Sequence, residues 1–247
     1  QYIGPASWKQ GTYSFRRQHV NSAEVAVLAT LLAQHPSCTD VNWERNALGP
    51  ETGAWLAKIL AAPFSEVALF RCRYNRLGSV GVAALATPLS TNTALIHLDL
   101  RACQCGDDGA IALLTVLRDH NRHLVRLLLS HNDLTEAVVP VLCGVVEHHP
   151  SLRQVTLSHN RIAPSRAHFA DLGRALATNL DLQTLDLGNN PLGVEQCFAL
   201  GDALARAAQA PVVEALGEHS DASLYLDLEL PQRRMYALGL VLHGFPL

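Results

Sequence analysis

Charge, aromatic rings and lysine are all scarce in this chain. Of 247 residues, 17% are charged and 6% are aromatic, and Lys9 and Lys58 are the only lysines beside seventeen arginines. With 49% hydrophobic residues, so little charge excludes a disordered chain and points to one rich in core. A formal charge of −3 argues against general nucleic-acid binding, which calls for a clearly basic surface. Long hydrophobic runs are also missing. The longest candidate, Val138 to Val146, falls short of the ~18 residues that cross a bilayer, so no membrane span is expected. The chain has no N-x-S/T acceptor, no H-E-x-x-H, no G-x-S-x-G and no G-x-x-x-x-G-K-[S/T]. Cys103 and Cys105 form a C-x-C without the second pair that a structural zinc site needs. A non-enzyme without metal or cofactor is expected. It opens on Gln1 rather than Met, as a processed or partial chain would.

What is present is a phrase. Leu124 to Leu134 reads L-x-x-L-x-L-x-x-N-x-L, and Leu152 to Ile162 and Leu182 to Leu192 repeat it. Leu95 to Cys105, Val67 to Leu77 and Cys38 to Leu48 carry it upstream. The closing residues are Asn46, Asn75, Cys103, Asn132, Asn160 and Asn190, which lie 29, 28, 29, 28 and 30 apart. A repeat of this period and wording is a leucine-rich repeat. Its alternating apolar residues suit a short strand with one face inward. After the strand the chain must bend, and an Asn at the bend can satisfy backbone groups left facing the interior. Cys103 replaces one such rung with a thiol, a weak donor of suitable size.

The second half of each unit reads as a helix. Leucines four apart form one stripe: Leu56 and Leu60, Leu85 and Leu89, Leu113 and Leu117, Leu172 and Leu176, Leu200 and Leu204, with Leu142 and Val146 in the remaining unit. A weaker first unit has Tyr13, Phe15, Gln18 and Val20 on strand, rung and turn positions, then a helix with Leu28 and Leu32 that ends at His35–Pro36. The expected fold is an α/β leucine-rich-repeat solenoid, an arc with a parallel inner sheet and outer helices. Residues 1–9 would flank it, 10–208 would hold seven units, and 209–247 would form a C-terminal cap. In that cap Leu224 to Leu230 alternate as a strand, and Met235 to Leu242 is expected to return as the second strand of a hairpin, or else to dock on a partner.

Repeats of 28 and 29 residues with a full outer helix resemble the ribonuclease-inhibitor-like class, most clearly at Asn75 to Leu85 and Cys105 to Leu113. That class includes ribonuclease inhibitor, the sensor half of nucleotide-binding immune receptors, a Ran GTPase activator, actin-capping proteins and ciliary scaffolds. The resemblance implies a protein-binding module, a scaffold or subunit of a larger intracellular assembly, cytoplasmic and either cytoskeletal or ciliary. A GTPase activator, with Arg71 or Arg101 presented to a partner's nucleotide, is one alternative. The sensor portion of a larger receptor is another. Buried free thiols at all six cysteines fit an intracellular place.

The outward positions of the seven strands give the candidate interface. Its middle collects Leu69, Arg71, Arg73, Tyr74, His97, Arg101, Arg126 and Leu128, a mixture that interface centres favour. An acidic protein segment is the expected partner, held by guanidinium–carboxylate pairs, with Leu69 and Leu128 supplying dry contact. The opposing expectation is that Asp40, Glu44 and Asp99 merely balance these arginines on a solvated face. His131 and His159 fall at equivalent positions of adjacent units, but no third ligand completes a metal site. His120, His148 and His149 are expected to be partly charged at helix carboxyl ends.

Overall fold

A computed structural model describes residues 11–35, 37–179 and 181–193, and the backbone of 214–215 and 225–227. Seven three-residue strands pair in parallel and in sequence order: β1 (Thr12–Ser14), β2 (Asp40–Asn42), β3 (Leu69–Arg71), β4 (His97–Asp99), β5 (Arg126–Leu128), β6 (Gln154–Thr156) and β7 (Thr184–Asp186). The register keeps each repeat position in one column; Tyr13, Val41, Phe70, Leu98, Leu127, Val155 and Leu185 run side by side and all are buried. Among the described residues six α-helices return the chain: α1 (Ser22–Ala33), α2 (Gly53–Ala61), α3 (Gly78–Leu89), α4 (Gly106–Asp119), α5 (Val139–His148) and α6 (Arg166–Thr178). Strands sit ~4.8 Å apart and packed helices 8–10 Å apart, so stacking one strand and one helix per unit bends the sheet inward.

The stripes of α2 to α6 lie where the period places them: Leu56, Leu60, Leu85, Leu89, Leu113, Leu117, Leu142, Val146, Leu172 and Leu176 are all buried. Helix α1 differs. It buries Val25, Ala29 and Leu32, while Leu28 is half-covered and Val27 and Leu31 face out. Among the described α-helices α1 packs against α2, and the buried stripe turns that way. Asn21 and Glu24 close its first turn as a capping box.

The rungs are fully used. Asn132 Oδ1 accepts the Cys103 and Cys105 N–H groups at 2.9 and 3.1 Å, and its Nδ2 donates to the Leu100 and Leu129 carbonyls at 2.8 and 3.0 Å. Asn46, Asn75, Asn160 and Asn190 repeat the pattern, each reaching one unit back. Cys103 covers the Cys72 carbonyl through Sγ at 3.2 Å. Burial raises the Cys72 and Cys103 thiols well above the usual range and takes Cys105, with help from Asp107, to about 12. These thiols are protonated and unreactive. Cys38, Cys72, Cys103, Cys105 and Cys143 are free; Cys197 lies outside the described residues.

A second ladder lines the opposite corner, where helices give way to strands. Asn92 donates to the Leu60 carbonyl and accepts the Ala94 and Leu95 N–H groups. Asn121 and Asn179 do the same one and three units on. Between them stands His149, 1% exposed, whose Nδ1 accepts the Ser151 and Leu152 N–H groups at 3.3 and 3.1 Å. The proton must therefore sit on Nε2, which is buried without a partner. Burial first, then Arg122, His123 and Arg153, lowers this imidazole to about 4. His149 is thus a neutral rung, not the partly charged helix terminus that the sequence suggests.

The parallel sheet ends in reversed strands. β9 (Tyr225–Asp227) runs antiparallel to β7, and β8 (Glu214–Ala215) runs antiparallel to β9. Within the described residues, the 224–230 segment thus pairs with an upstream strand as well as with β7. Met235 to Leu242, the Leu200 and Leu204 stripe, the expected boundary near 208 and the 1–9 flank lie outside the described residues.

Two consequences are measurable. Asn132→Ala should lower stability by on the order of 1–3 kcal/mol, since four buried backbone groups lose their partner. Asn189→Ala should cost less, because Ala102 already holds the same left-handed backbone position. Chemical denaturation of both variants checks the register. His149 takes up a proton more readily unfolded than folded, so its contribution to stability should fall as pH drops from about 6.5 toward about 4. His149→Asn should flatten stability across that window, read from melting curves of both proteins.

Candidate functional site

Positions three, five and seven of each unit face the inside of the arc, and position eight stands at its edge. Register places Asp40, Leu69, His97 and Arg126 in one column, and Asn42, Arg71, Asp99 and Leu128 in the next. The turn residues Arg17, Arg45, Tyr74, Ala102, His131, His159 and Asn189 all have φ between 53° and 60°. This left-handed backbone at the end of every strand throws the eighth side chain outward, toward the rim.

The arginines do not stand free over a solvated sheet. Glu44 is 2% exposed and lies beneath Arg73 at 3.0 Å, Arg16 at 3.4 Å and Arg45 at 3.5 Å. Asp99, also 2% exposed, receives Arg101 on both oxygens, Nε at 2.9 Å and NH2 at 2.7 Å. Asp40 takes Arg71 at 2.7 Å. The acids are a lower layer and the guanidiniums an upper one. What faces out is basic, since three carboxylates meet five guanidiniums.

Arg126 is different. It is exposed and has no ion pair among the described residues. Beside it, His97 is half-buried, and burial lowers its pKa; Asp99 opposes that, while Arg71, Arg126 and Arg101 add to it. Tyr74 is 46% exposed, with Arg45 4.2 Å over its ring.

One candidate, Leu128, is not where the sequence places it. Leu128 is 7% exposed and cannot supply a dry contact. On the inside of an arc, side chains of neighbouring strands converge, and one of middling length between Asp99 and Thr156 is covered. Leu69 is half-buried and keeps part of its face open. His131 and His159 stack face to face at 4.2 Å, and Asn189 Nδ2 lies 3.1 Å from His159 Nε2. Burial, then His159 and Arg101, lowers the His131 pKa. The described residues hold no group of three or more His, Cys, Asp or Glu suited to a metal. Toward the C-terminal strands β6 and β7 the face has no arginine in its strand columns, with Ser130 bonded to Ser158 and Thr156 and Asp186 the carboxylate of β7.

Residues 91–114 match the family model described as Leucine Rich repeat. Over 218 residues the chain is 28% identical to ribonuclease inhibitor of Sus scrofa, covering 86% of this chain and 47% of that protein. This is a leucine-rich-repeat protein of the ribonuclease-inhibitor-like class. A further relative of the repeat protein is NACHT, LRR and PYD domains-containing protein 12 of Mus musculus, 28% identical over 144 residues, which cover 58% of this chain and 14% of that one. The leucine-rich-repeat chain thus spans about half of the first relative and a small part of the second. A structure of leiomodin-1 actin-binding site 2 superposes on 64% of it, with 14% identity, 88% coverage of that chain and a TM-score of 0.43, a likeness too slight to bear on a partner.

Three features of this repeat protein's site escaped the sequence reading: the second ladder, the burial of the acids, and exposed Ile96 just ahead of β4. The ladder was legible, since 92, 121, 149 and 179 keep the repeat period. The buried acids give a test. Glu44→Gln should cost about 2 kcal/mol or more, because it leaves Arg16, Arg45 and Arg73 without their common counter-charge. Asp40→Asn, at a more open position, should cost less. Urea midpoints of the two variants compare them.

Proposed function

We propose that this protein-interaction module is non-catalytic, works as a scaffold or assembly subunit inside the cell, and receives an acidic segment of a partner on the middle of its concave face. The observation that carries the reading is the two-layer charge arrangement. Glu44 and Asp99 lie beneath their arginines, so the outward layer is cationic and already held in place. Arg126 offers a guanidinium with no ion pair among the described residues, Tyr74 an exposed ring and Leu69 a partly open apolar face. Free thiols at the five described cysteines, four of them buried, support a reducing compartment. No described helix is long and apolar enough to cross a membrane.

The competing GTPase-activator reading is less well supported. Arg71 and Arg101, its candidate fingers, are tied to Asp40 and Asp99, whereas an arginine finger must reach a partner's phosphates. A specific observation favours the receptor alternative: similarity to NACHT-containing proteins over a small share of their length. A complete transcript carrying a nucleotide-binding domain would establish that arrangement.

Arg126→Glu should weaken binding of the native partner about tenfold or more, and Tyr74→Ala should cost about 2 kcal/mol, whereas Thr184→Ala should change little. Affinity should also decline as salt is raised. Affinity capture from the native cell followed by titration measures all four. Retention of every specific partner by Arg101→Glu/Arg126→Glu would move the interface off the concave face. Proximity labelling in intact cells separates cytoskeletal from ciliary assemblies.

A further inference from the structure

Along the rim where strands turn toward helices, the first four units enclose an open groove of about 570 Å³. Its walls carry Arg17, Arg45 and Arg76, one from each of the first three units, with Tyr74 between the last two. The groove exists because two left-handed columns meet there and each has one small member. Ala102 interrupts the column of Arg17, Arg45 and Tyr74, and Ala47 interrupts the column of His19 and Gln104.

Among the described residues no carboxylate lines this space. Arg17 and Arg76 are exposed and form no ion pair among the described residues. Arg45 stands 3.5 Å from Glu44, but that buried carboxylate is shared with Arg16 and Arg73. The ring of Tyr74 fixes Arg45 from one side at 4.2 Å. Side chains on adjacent units begin ~5 Å apart, so three guanidiniums can close on one small anion. A carboxylate brings one charge and two oxygens. A phosphomonoester brings close to two charges and three acceptor oxygens, which matches three guanidiniums better.

We propose that this rim groove docks a phosphorylated segment of a protein partner. The site shares Tyr74 with the concave patch but draws on different charge: Arg17 and Arg76 serve here, Arg126 there. Either can fail without the other.

The test uses fluorescence anisotropy on the full chain. Its probe is a labelled decapeptide alternating glycine and phosphoserine, compared with the same peptide carrying glutamate for phosphoserine. The phosphorylated peptide should bind about tenfold tighter or more. Arg17→Glu/Arg76→Glu should abolish that preference, and Arg126→Glu should preserve it. Ala47→Glu puts a carboxylate on the groove floor without touching an arginine and should also abolish it. Melting curves show that each variant is folded. Equal binding of the two peptides overturns the proposal, as does an unchanged preference in both groove variants. Tighter binding to vesicles containing phosphatidylinositol bisphosphate, or to oligouridylate, overturns it in favour of a lipid or an RNA.

Discussion

Everything in this solenoid depends on one side chain meeting backbone groups that the tight turn has stranded in the core. An amide that both donates and accepts is the natural group for that place. Its oxygen takes two N–H groups of the preceding unit while its nitrogen serves carbonyls of both units. Because each rung spans two units, it is a tie between neighbours as well as a local repair. Register follows from this, and register in turn sorts the outward side chains into columns. The inner face is therefore a consequence of the turns, and the identity of its charges is a separate choice laid on a fixed grid.

That grid is why so much was legible. Strand position, rung identity and helix stripe each occur once per period, and a single misfit would have broken the count. The apolar columns Tyr13 to Leu185 and the stripes of α2 to α6 were readable for this reason. Lateral effects were not. Whether Asp99 or Leu128 is open to water depends on which side chains stand in the next units and how far the arc draws them together. No periodicity encodes that. End effects were equally hidden: α1 buries Val25 and Ala29 in place of Leu28, and its stripe turns toward α2. At the far end, β9 takes its second partner from before it in the chain.

The buried acids change what the arginines mean. An arginine held by Asp99 on two oxygens has lost much of its rotational freedom before any partner arrives, so less remains to be given up on binding. The same clamp leaves it less charge to offer. Arg71, Arg73 and Arg101 thus act more as shaped surface than as free cations. Free positive charge is displaced to Arg126 on one side and to the Arg17, Arg45 and Arg76 rim on the other.

Stability in such a stack is a sum over neighbours, with each unit held by its own seams. The seams here are unequal. Cys103 ties units three and four with a weak thiol contact, and His149 closes a corner with one ring nitrogen unused. Under tension applied at its two ends, the solenoid would part first along these seams. The N-terminal three units, which carry the rim arginines, would then come away as one piece from the units bearing Arg126. Mechanical load would sever the two cationic surfaces before it unravelled either.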